Sequence, residues 1–480
     1  MQRCLTIVCM TLLLAGCGNT PTPPARTPQV ASPTVPPVRT QAVVVRRGTP
    51  GLPMRGPATP GLPQTTPSVG AALIVQAVTA LQEQGLAAGQ GDILYDAAYR
   101  GAVGALRRLG YLVEGDAPRF TNLPIDDATR FTTAYLILAG ASAVQANQTS
   151  LAYEAIRTAT DRLDECHTYL LEPQEYQALQ ANTAQANDPY GGIGISLQPG
   201  SGPPTILSIY PDTPAARLDL RPGDTILTVN SQAVAVLPAA QVGVLLRGPA
   251  GSTVELTIRR PGEAAGRVVV LTRERVAVPP LTTTITTDAA GRQIGTIRLS
   301  TLAPGVEQAI DQALTGFERA GVIGWVLDLR EAGGGSVETL TTVAGRFLGT
   351  GQTVAYRVRE GEAVPIVAGS PQTAMPQRPL ALVINGGTRE MPEALAAGLR
   401  DADRARLFGE ATAGCVSLTT VSALADGAAL HLGVAQLLSP TRRPLALVGQ
   451  QPDETVWARY VAAADPPLAA ARAWVAEQVK

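Results

Sequence analysis

Lysine is almost absent from this chain. Of 480 residues only Lys480 is a lysine, so arginine supplies every other basic side chain. Aromatic residues make up 4% of the chain and charged residues 16%, with a formal net charge of −1. This charge balance offers no basic surface for nucleic acid. We therefore expect no nucleic-acid partner and, within the body of the chain, no chemistry that depends on lysine.

Long apolar runs are also missing. The N-terminal run from Leu5 to Leu14 has the length of the apolar part of a secretory signal and is too short to span a bilayer. The tetrapeptide LAGC that ends at Cys17 resembles a bacterial lipobox, which implies removal of residues 1–16 and lipid on the Cys17 thiol. An ordinary signal peptide cut elsewhere is the alternative. We expect an extracytoplasmic protein that is lipid-anchored to the bacterial cell membrane or envelope.

Beyond the predicted signal and lipid site, the only cysteines are Cys166 and Cys415. An exported protein can keep a disulfide, but two cysteines so far apart give no framework for predicting one. We expect two separate thiols. No group of histidine, cysteine, aspartate and glutamate has the spacing of a metal site, and no phosphate-binding loop occurs. We predict no metal and no cofactor.

Residues 17–68 comprise the lipidated cysteine and a tether rich in proline and threonine. From residue 19 onward this stretch holds five arginines and no acidic residue. Such a composition cannot bury enough apolar surface to order itself, so we predict an extended tether. Its charge could favour an anionic membrane, or the segment is a plain spacer.

Three further regions follow, and together they predict a multidomain α/β protein. In residues 69–186 the apolar residues recur at helical spacing without strong strand signals. Residues 187–280 alternate with period two between glycine and proline turns and hold two short helices, which predicts a small β-rich module. In residues 281–480 strands alternate with helices, which predicts an α/β core with a central sheet and a C-terminal helix.

The β-rich module resembles a PDZ domain. The stretch TPAARLDLRPGDTILTVNSQAV (213–234) places a short helix, a Pro-Gly-Asp turn and a strand in the PDZ order. Upstream lies a glycine loop whose backbone N–H groups can hold a carboxylate, beside a strand edge that can accept a peptide. The resemblance implies that a peptide C-terminus contacts Gly192, Ile193, Gly194 and Ile195. The alternative is that these glycines only make a tight turn.

The α/β region resembles the carboxyl-terminal processing peptidases, also called tail-specific proteases. The similar blocks occur in the family's order over about residues 80–456 and include LDECHTYLLEPQEY (163–176), GWVLDLREAGGGSVETL (324–340), NGGTREMPEALAAGLRDADRARLFGEATAGC (385–415) and GQQPDETV (449–456). The resemblance implies a peptidase that uses a serine nucleophile and a neutral lysine base.

The positions of the family's functional side chains carry other residues here. The resemblance places the nucleophile at Glu390, the general base at Cys415 and a glutamine at Thr419. It places the oxyanion donors at Gly334 or Gly335. Because a fixed negative charge beside a developing oxyanion raises the barrier, we expect Glu390 to oppose the chemistry.

Other residues could supply the missing groups. Lys480 is the final residue, beyond the last predicted helix, which is a poor place for a base. Thr388 and Ser417 carry hydroxyl groups without a recognisable base.

A thiol is the remaining nucleophile. Cys415 could attack with His431 or His167 as base. However, His431 lies in an apolar strand, where packing is the simpler role, and His167 lies in a segment that we interpret as structural.

The sequence thus predicts an inactive relative of the tail-specific proteases that binds protein or peptide C-termini. The alternatives are an active serine-type or thiol endopeptidase with a different nucleophile, and a structural envelope scaffold whose PDZ groove is empty.

Overall fold

The computed structural model describes residues 44–47, 67–140, 148–184, 191–197, 203–210, 212–235, 237, 239–276, 279–370, 378–457 and 465–479. The predicted signal peptide, the lipidation site at Cys17, most of the predicted tether and Lys480 lie outside these ranges. Among the described helices, none combines the length and apolar character that a membrane crossing needs.

The first region is a helical unit with three short strands. Its helices are α1 (Pro67–Glu83), α2 (Gly91–Arg108), α3 (Pro124–Ala139), α4 (Gln148–Asp161) and α5 (Pro173–Ala184). An aromatic cluster fills the space between α2 and α3, with the ring of Phe131 5.3 Å from Tyr95 and 5.8 Å from Tyr135 between centroids. The helical prediction for this region therefore agrees with the structure.

The three strands of this region were not predicted. They are β1 (Val44–Arg47), β2 (Tyr111–Glu114) and β3 (Tyr169–Leu171). β1 falls in the predicted tether, yet it pairs antiparallel with β2, so these four residues are part of a sheet rather than a free spacer. β3 pairs with a strand of the distant core. Both pairings join segments far apart in sequence, which local periodicity does not reveal.

The next region has the predicted β-rich composition with two helices. Its elements are β4 (Gly191–Gly192), β5 (Ile195–Leu197), β6 (Ile206–Ile209), α6 (Pro214–Arg217), β7 (Thr225–Val229), β8 (Gln232–Ala233), α7 (Ala239–Leu246), β9 (Thr253–Arg259), β10 (Arg267–Thr272) and β11 (Glu274–Arg275). A four-stranded sheet has the order β10-β9-β7-β8, while β5 pairs with β6 and β4 with β11. Val254, Leu256 and Ile258 on β9 alternate inward and form the centre of its core.

The remaining elements form the α/β core. They are β12 (Leu281–Thr287), β13 (Gln293–Leu299), α8 (Val306–Arg319), β14 (Gly324–Asp328), α9 (Val337–Leu348), β15 (Thr353–Arg359), β16 (Glu362–Val367), β17 (Leu380–Ile384), α10 (Met391–Asp401), β18 (Arg406–Gly409), β19 (Ser417–Ala423), β20 (Ala429–Leu438), β21 (Glu454–Thr455) and α11 (Pro466–Glu477).

A six-stranded sheet of order β12-β13-β14-β17-β18-β21 lies at the centre of the core. β13, β14, β17, β18 and β21 are parallel, and every residue of β14 and β17 is buried. Continuous apolar strands of this kind are typical of a parallel sheet covered on both faces. Here α8, α9 and α10 contribute to the larger apolar cluster, and α11 to the smaller one.

The core has a second sheet where we expected a single central one. Its order is β16-β15-β20-β19, and β3 of the helical region pairs with β20. The long hairpin of β19 and β20 belongs to this second sheet and contacts the helical region, where Leu430 and Leu432 join the helical core. This sheet brings the segment before β3 to the edge of the central sheet.

Candidate functional site

The site is built at the carboxyl end of the central sheet. The parallel strands β14 and β17 are neighbours, so the loops that follow them open at the same edge, where α/β sheets bind ligands. Asn385 fastens the two loops because its amide donates to the carboxylate of Glu331 at 2.9 Å and its oxygen accepts the N–H of Gly387 at 2.9 Å. The N–H of Arg389 adds a bond to the carbonyl of Ala332 at 3.0 Å.

Glu390 occupies the residue before α10 in an unusual backbone conformation. Its φ is 58° and its ψ is −132°, a region that costs a residue with a Cβ on the order of 1–3 kcal/mol. The surrounding loops hold it there, and its N–H donates to the carbonyl of Cys415 at 2.9 Å. Glu390 lines a cavity of about 760 Å³, and 30% of its side chain is exposed. The fold thus presents this one side chain at a helix start.

Three groups surround the carboxylate of Glu390. The backbone N–H of Gly334 faces it, and it lies 3.7 Å from Nε2 of His167 and 3.9 Å from Nε of Arg389. Burial raises the pKa of Glu390, but the nearby charge of His167, with help from Arg389 and Gly334, outweighs burial and lowers it. Glu390 is therefore an anion at neutral pH, and it lies beside the N–H of Gly334.

The second candidate oxyanion glycine has a different environment. Gly335 has a φ of 110°, and a Cβ at this position would approach the carbonyl oxygen of Leu302 to 2.5 Å. The close packing against Leu302 requires glycine.

His167 lies in the site, contrary to its interpretation as a structural residue. It is contributed by the loop between α4 and β3, and Nδ1 lies 3.3 Å from the carboxylate of Glu165. Burial lowers the pKa of His167, but Glu165 and Glu390 on either side outweigh burial and raise it to about 9. At neutral pH the imidazole is therefore a cation, which has no lone pair with which to accept a proton. Sequence reasoning named His167 only as an alternative base for Cys415 and did not name Glu165, although LDECHTYLL contains both.

Cys415 is bonded to Cys166, which corrects the expectation of two separate thiols. The Cα atoms of the disulfide are 6.0 Å apart, across 249 residues of sequence. The pairing of β3 with β20 brings the two loops together, a contact that cysteine spacing does not reveal. Cys415 Sγ also lies 3.5 Å from Nε2 of His167. In this oxidised form neither cysteine has a thiolate, so the thiol hypothesis has no nucleophile here.

The hydroxyl candidate Thr388 and the residue at the glutamine position, Thr419, do not line the cavity. Thr388 is buried and donates to the carbonyl of Leu329 at 2.9 Å. Thr419 is exposed on β19, next to an irregularity in the strand register, and does not line the cavity. The structure therefore does not bring Thr419 to Glu390 and Cys415.

Ser417 has the imidazole neighbour that the sequence did not predict. Its Oγ lies 2.6 Å from Nδ1 of His167 and donates to Glu165 at 2.8 Å. However, Ser417 is buried and does not line the cavity, and a protonated His167 cannot take its proton. Its contacts instead join His167 and Glu165.

His431 is a packed strand residue. Its Nδ1–H donates to the backbone carbonyl of His167 at 2.6 Å, and its ring stacks on Tyr169 with centroids 5.0 Å apart. Burial lowers the pKa of His431. A neutral ring that donates through Nδ1 fixes the loop that carries His167.

The predicted peptide-binding loop lines the same cavity as Glu390. Gly192, Ile193, Gly194 and Ile195 line it, together with Gly243, Val244 and Leu246 of α7. Among the described strands β5 pairs only with β6, so its other edge has no strand partner there. Gly194 is at φ 80°, and a Cβ on it would lie 2.2 Å from Thr213. This glycine is required by both the turn and the close approach.

Two contacts hold the β-rich module against its neighbours. Ser196 donates to the carboxylate of Glu331 in the core at 2.8 Å. Gln241 of α7 donates to the carbonyl of Leu170 at 3.2 Å and to the carboxylate of Glu175. The groove therefore opens directly onto the edge that carries Glu390.

Comparisons with known proteins agree with this architecture. The profile of Peptidase family S41 matches residues 293–456, and that of the PDZ domain matches residues 205–260. The chain is 33% identical over 312 residues to the chloroplast C-terminal processing peptidase of Tetradesmus obliquus, covering 63% of this chain and 67% of that one. It is 31% identical over 307 residues to the carboxyl-terminal-processing protease of Synechocystis, covering 63% and 70%. A solved structure, the photosystem II D1 C-terminal processing protease, superposes with a TM-score of 0.60 at 26% identity, covering 81% of this chain and 93% of that one.

Proposed function

Because this chain belongs to the carboxyl-terminal processing peptidases of family S41, we propose that it is a lipid-anchored, extracytoplasmic member that binds protein C-termini without cutting them. One observation carries the proposal. At the position that corresponds to the family's nucleophile, a carboxylate faces the N–H of Gly334 and pairs with the imidazolium of His167 at 3.7 Å. A negative charge thereby lies where an oxyanion would have to form.

Electrostatics supports the lack of cleavage. Addition to a peptide carbonyl develops negative charge on its oxygen, and backbone donors must be free to receive that charge. The anionic Glu390 faces the donor of Gly334 and would repel the oxyanion. The described residues contain no lysine, and His167 is held as a cation by two carboxylates. The oxidised site thus contains neither a nucleophile nor a base.

The groove between β5 and α7 supports peptide binding. A peptide that adds to β5 would receive main-chain hydrogen bonds, and its carboxylate would reach the Gly192–Ile195 loop. Apolar side chains of α7 such as Val244 and Leu246 favour an apolar terminal residue. Measured affinities for one peptide with free and with amidated C-terminus test this role, and equal affinities would favour an envelope scaffold with an empty groove.

The lipid anchor is supported by the LAGC stretch that ends at Cys17. Expression of the full chain in a bacterium with radiolabelled palmitate should label the wild type and not Cys17→Ala. A labelled Cys17→Ala chain would contradict the anchor at this residue.

Peptidase activity is tested on the full chain with unfolded substrates that end in small apolar residues. We expect no cleavage by the oxidised protein. The double variant Glu390→Ser, Cys415→Lys shows whether the remainder of the site is competent, and cleavage by this variant alone would support loss of chemistry at these two positions. Cleavage by the wild type would overturn the proposal.

A thiol endopeptidase is the second candidate, since Cys415 Sγ lies 3.5 Å from Nε2 of His167. The same assay is therefore run after reduction of the disulfide. Cleavage that appears on reduction, persists in Glu390→Ala and disappears in Cys415→Ala would favour the thiol enzyme.

A further inference from the structure

Three side chains around the disulfide have the donor atoms of a zinc site. Cys166, His167 and Cys415 each offer one ligand atom, and these atoms lie within 4.8 Å of one another. Among the described residues this is the one such group of histidine, cysteine and acidic side chains. The sequence predicted no metal cluster because 249 residues separate the cysteines. Only the fold brings them together.

The spacing of the donors suits a tetrahedral ion. Bonds of about 2.3 Å from zinc to sulfur and about 2.0–2.1 Å from zinc to nitrogen place a thiolate and an imidazole nitrogen about 3.6 Å apart. Cys415 Sγ and Nε2 of His167 are 3.5 Å apart. After reduction the two sulfurs can separate to the roughly 3.8 Å of the same geometry by rotation of their side chains. The distance between Cys415 Sγ and Nε2 of His167 already fits this geometry without backbone movement.

The surroundings of His167 match those of a metal-binding histidine. Metal-bound histidines donate their second ring N–H to a carboxylate or carbonyl, which fixes the ring. Here Nδ1 lies 2.6 Å from Oγ of Ser417 and 3.3 Å from the carboxylate of Glu165, while Nε2 lies 3.5 Å from Cys415 Sγ and 3.7 Å from the carboxylate of Glu390. The sulfur of Cys166 lies 3.3 Å from Nδ1, so its side chain must rotate toward Nε2 to share an ion with Cys415. All three ligands line the cavity, so a fourth position would be open to solvent or to a bound molecule, as in zinc sites with three protein ligands.

We propose that reduction of the Cys166–Cys415 disulfide converts this site into a zinc site in which Cys166, His167 and Cys415 are the protein ligands. A dithiol reductant supplies two electrons and two protons, becomes a disulfide itself and leaves two thiols on the protein. Zinc then binds both sulfurs as thiolates and Nε2 of a neutral His167, and the two thiol protons and the imidazolium proton are released to solvent. The proposal concerns metal binding and is independent of whether the chain cuts peptides.

The test uses the full chain in a Cys4→Ser, Cys9→Ser, Cys17→Ser background, so that only the two site cysteines can respond. The protein is reduced with dithiothreitol, freed of it without oxygen, and titrated with Zn²⁺ and separately with Co²⁺. We expect one ion per reduced chain, and a cobalt spectrum with thiolate charge-transfer absorption and the visible bands of tetrahedral cobalt. The oxidised protein should bind neither ion at the same concentrations.

Variants assign the ligands. Cys166→Ser with Cys415→Ser should abolish the charge-transfer absorption, and Glu165→Gln should weaken zinc binding by about 10–100-fold while keeping that absorption. The matched control is His431→Gln, which removes the other histidine but keeps an N–H donor for the carbonyl of His167, and it should bind zinc as the parent does. Equal zinc affinity of reduced and oxidised chains, or a reduced chain that loses its native circular dichroism and does not regain it with zinc, would overturn the proposal.

Discussion

The two walls of the shared cavity differ in how their polar groups are used. On the core wall the carboxylate of Glu390 lies 3.7 Å from the imidazolium of His167 and faces the N–H of Gly334, and both cysteines of the disulfide line the same cavity. On the groove wall β5 has a strand partner on one side among the described residues, and α7 lines the space beside it. The charged groups of the core wall pair with one another, whereas the groove wall has the form of a groove for a peptide. This difference is the basis of our proposal that the chain binds peptides without cutting them.

The largest expected effect comes from removing the Cys166–Cys415 disulfide of the core wall. The double variant Cys166→Ala, Cys415→Ala should lose about 2–5 kcal/mol of unfolding free energy, because the bond closes a loop across 249 residues. Denaturant titration measures the loss. Reduction of the wild type should reproduce it, and the double variant should not respond to reductant. A reductant effect on the double variant would mean that the stabilisation arises elsewhere.

The charge of His167 gives the core wall a pH dependence. Its pKa rises from 6.5 to about 9 on folding, so its stabilisation is complete below about pH 6.5 and is lost as the pH rises through about 9. We expect the unfolding free energy to fall by about 2–3 kcal/mol over that range. His167→Gln should remove this slope in denaturant titrations.

The control for this pH dependence is His431→Gln. Because burial lowers the pKa of His431, that ring is neutral over the whole range and the slope should remain. If the unfolding free energy of His167→Gln still depended on pH over this range, another group would be responsible for the dependence.

The groove wall can be blocked without touching the core wall. A Cβ on Gly243 of α7 would meet no atom within 4 Å, and glycine disfavours a helix, so Gly243→Trp should fold and fill the groove. We expect at least about tenfold weaker binding of a C-terminal peptide, which is about 1.4 kcal/mol. Calorimetry measures the change. Gly316→Trp on α8 is the matched control, since its Cβ is equally unobstructed and it lies outside the cavity lining.

The smallest expected effect is a change in the pKa of His167 when the charge of Glu390 is removed. Glu390→Gln removes one of the two carboxylates that raise the pKa of His167, so that pKa should fall. Proton NMR of the imidazole across a pH titration reports the shift. Glu390 acts on His431 through its charge alone, so the pKa of His431 should change less than that of His167. An unchanged pKa of His167 would contradict the pairing with Glu390.

Local sequence patterns predicted most elements of the fold. The apolar spacing of α8, α9 and α10 and the continuous apolar strands β14 and β17 are signals that the segments carry by themselves. The PDZ and peptidase resemblances are confirmed by the family matches. The second sheet was missed because β3 and β20 lie far apart in sequence and neither shows that it will pair with the other.

The site was harder to predict than the fold. The resemblance located Glu390 and Cys415, and the structure places them in one cavity. His167 was named only as an alternative base and Glu165 was not named, because these act through a loop of another region. Counting along the family pattern also placed Thr419 near the site, but the register irregularity between Leu418 and Thr419 leaves that side chain on the exposed face.

Because β20 pairs with both β3 and β19, the length of the β19–β20 turn should be restricted. His431 pairs with Tyr169 of β3 on one side and with Val421 of β19 on the other. Cys166 and His167 precede β3, and Cys415 precedes β19. The registers of β3 and β19 on β20 therefore determine how these three residues are positioned relative to one another. One residue inserted at the turn near Gly427 would move β19 by about 3.3 Å and invert its faces. An insertion that most surface turns would tolerate should therefore disrupt the site when it is placed in this turn.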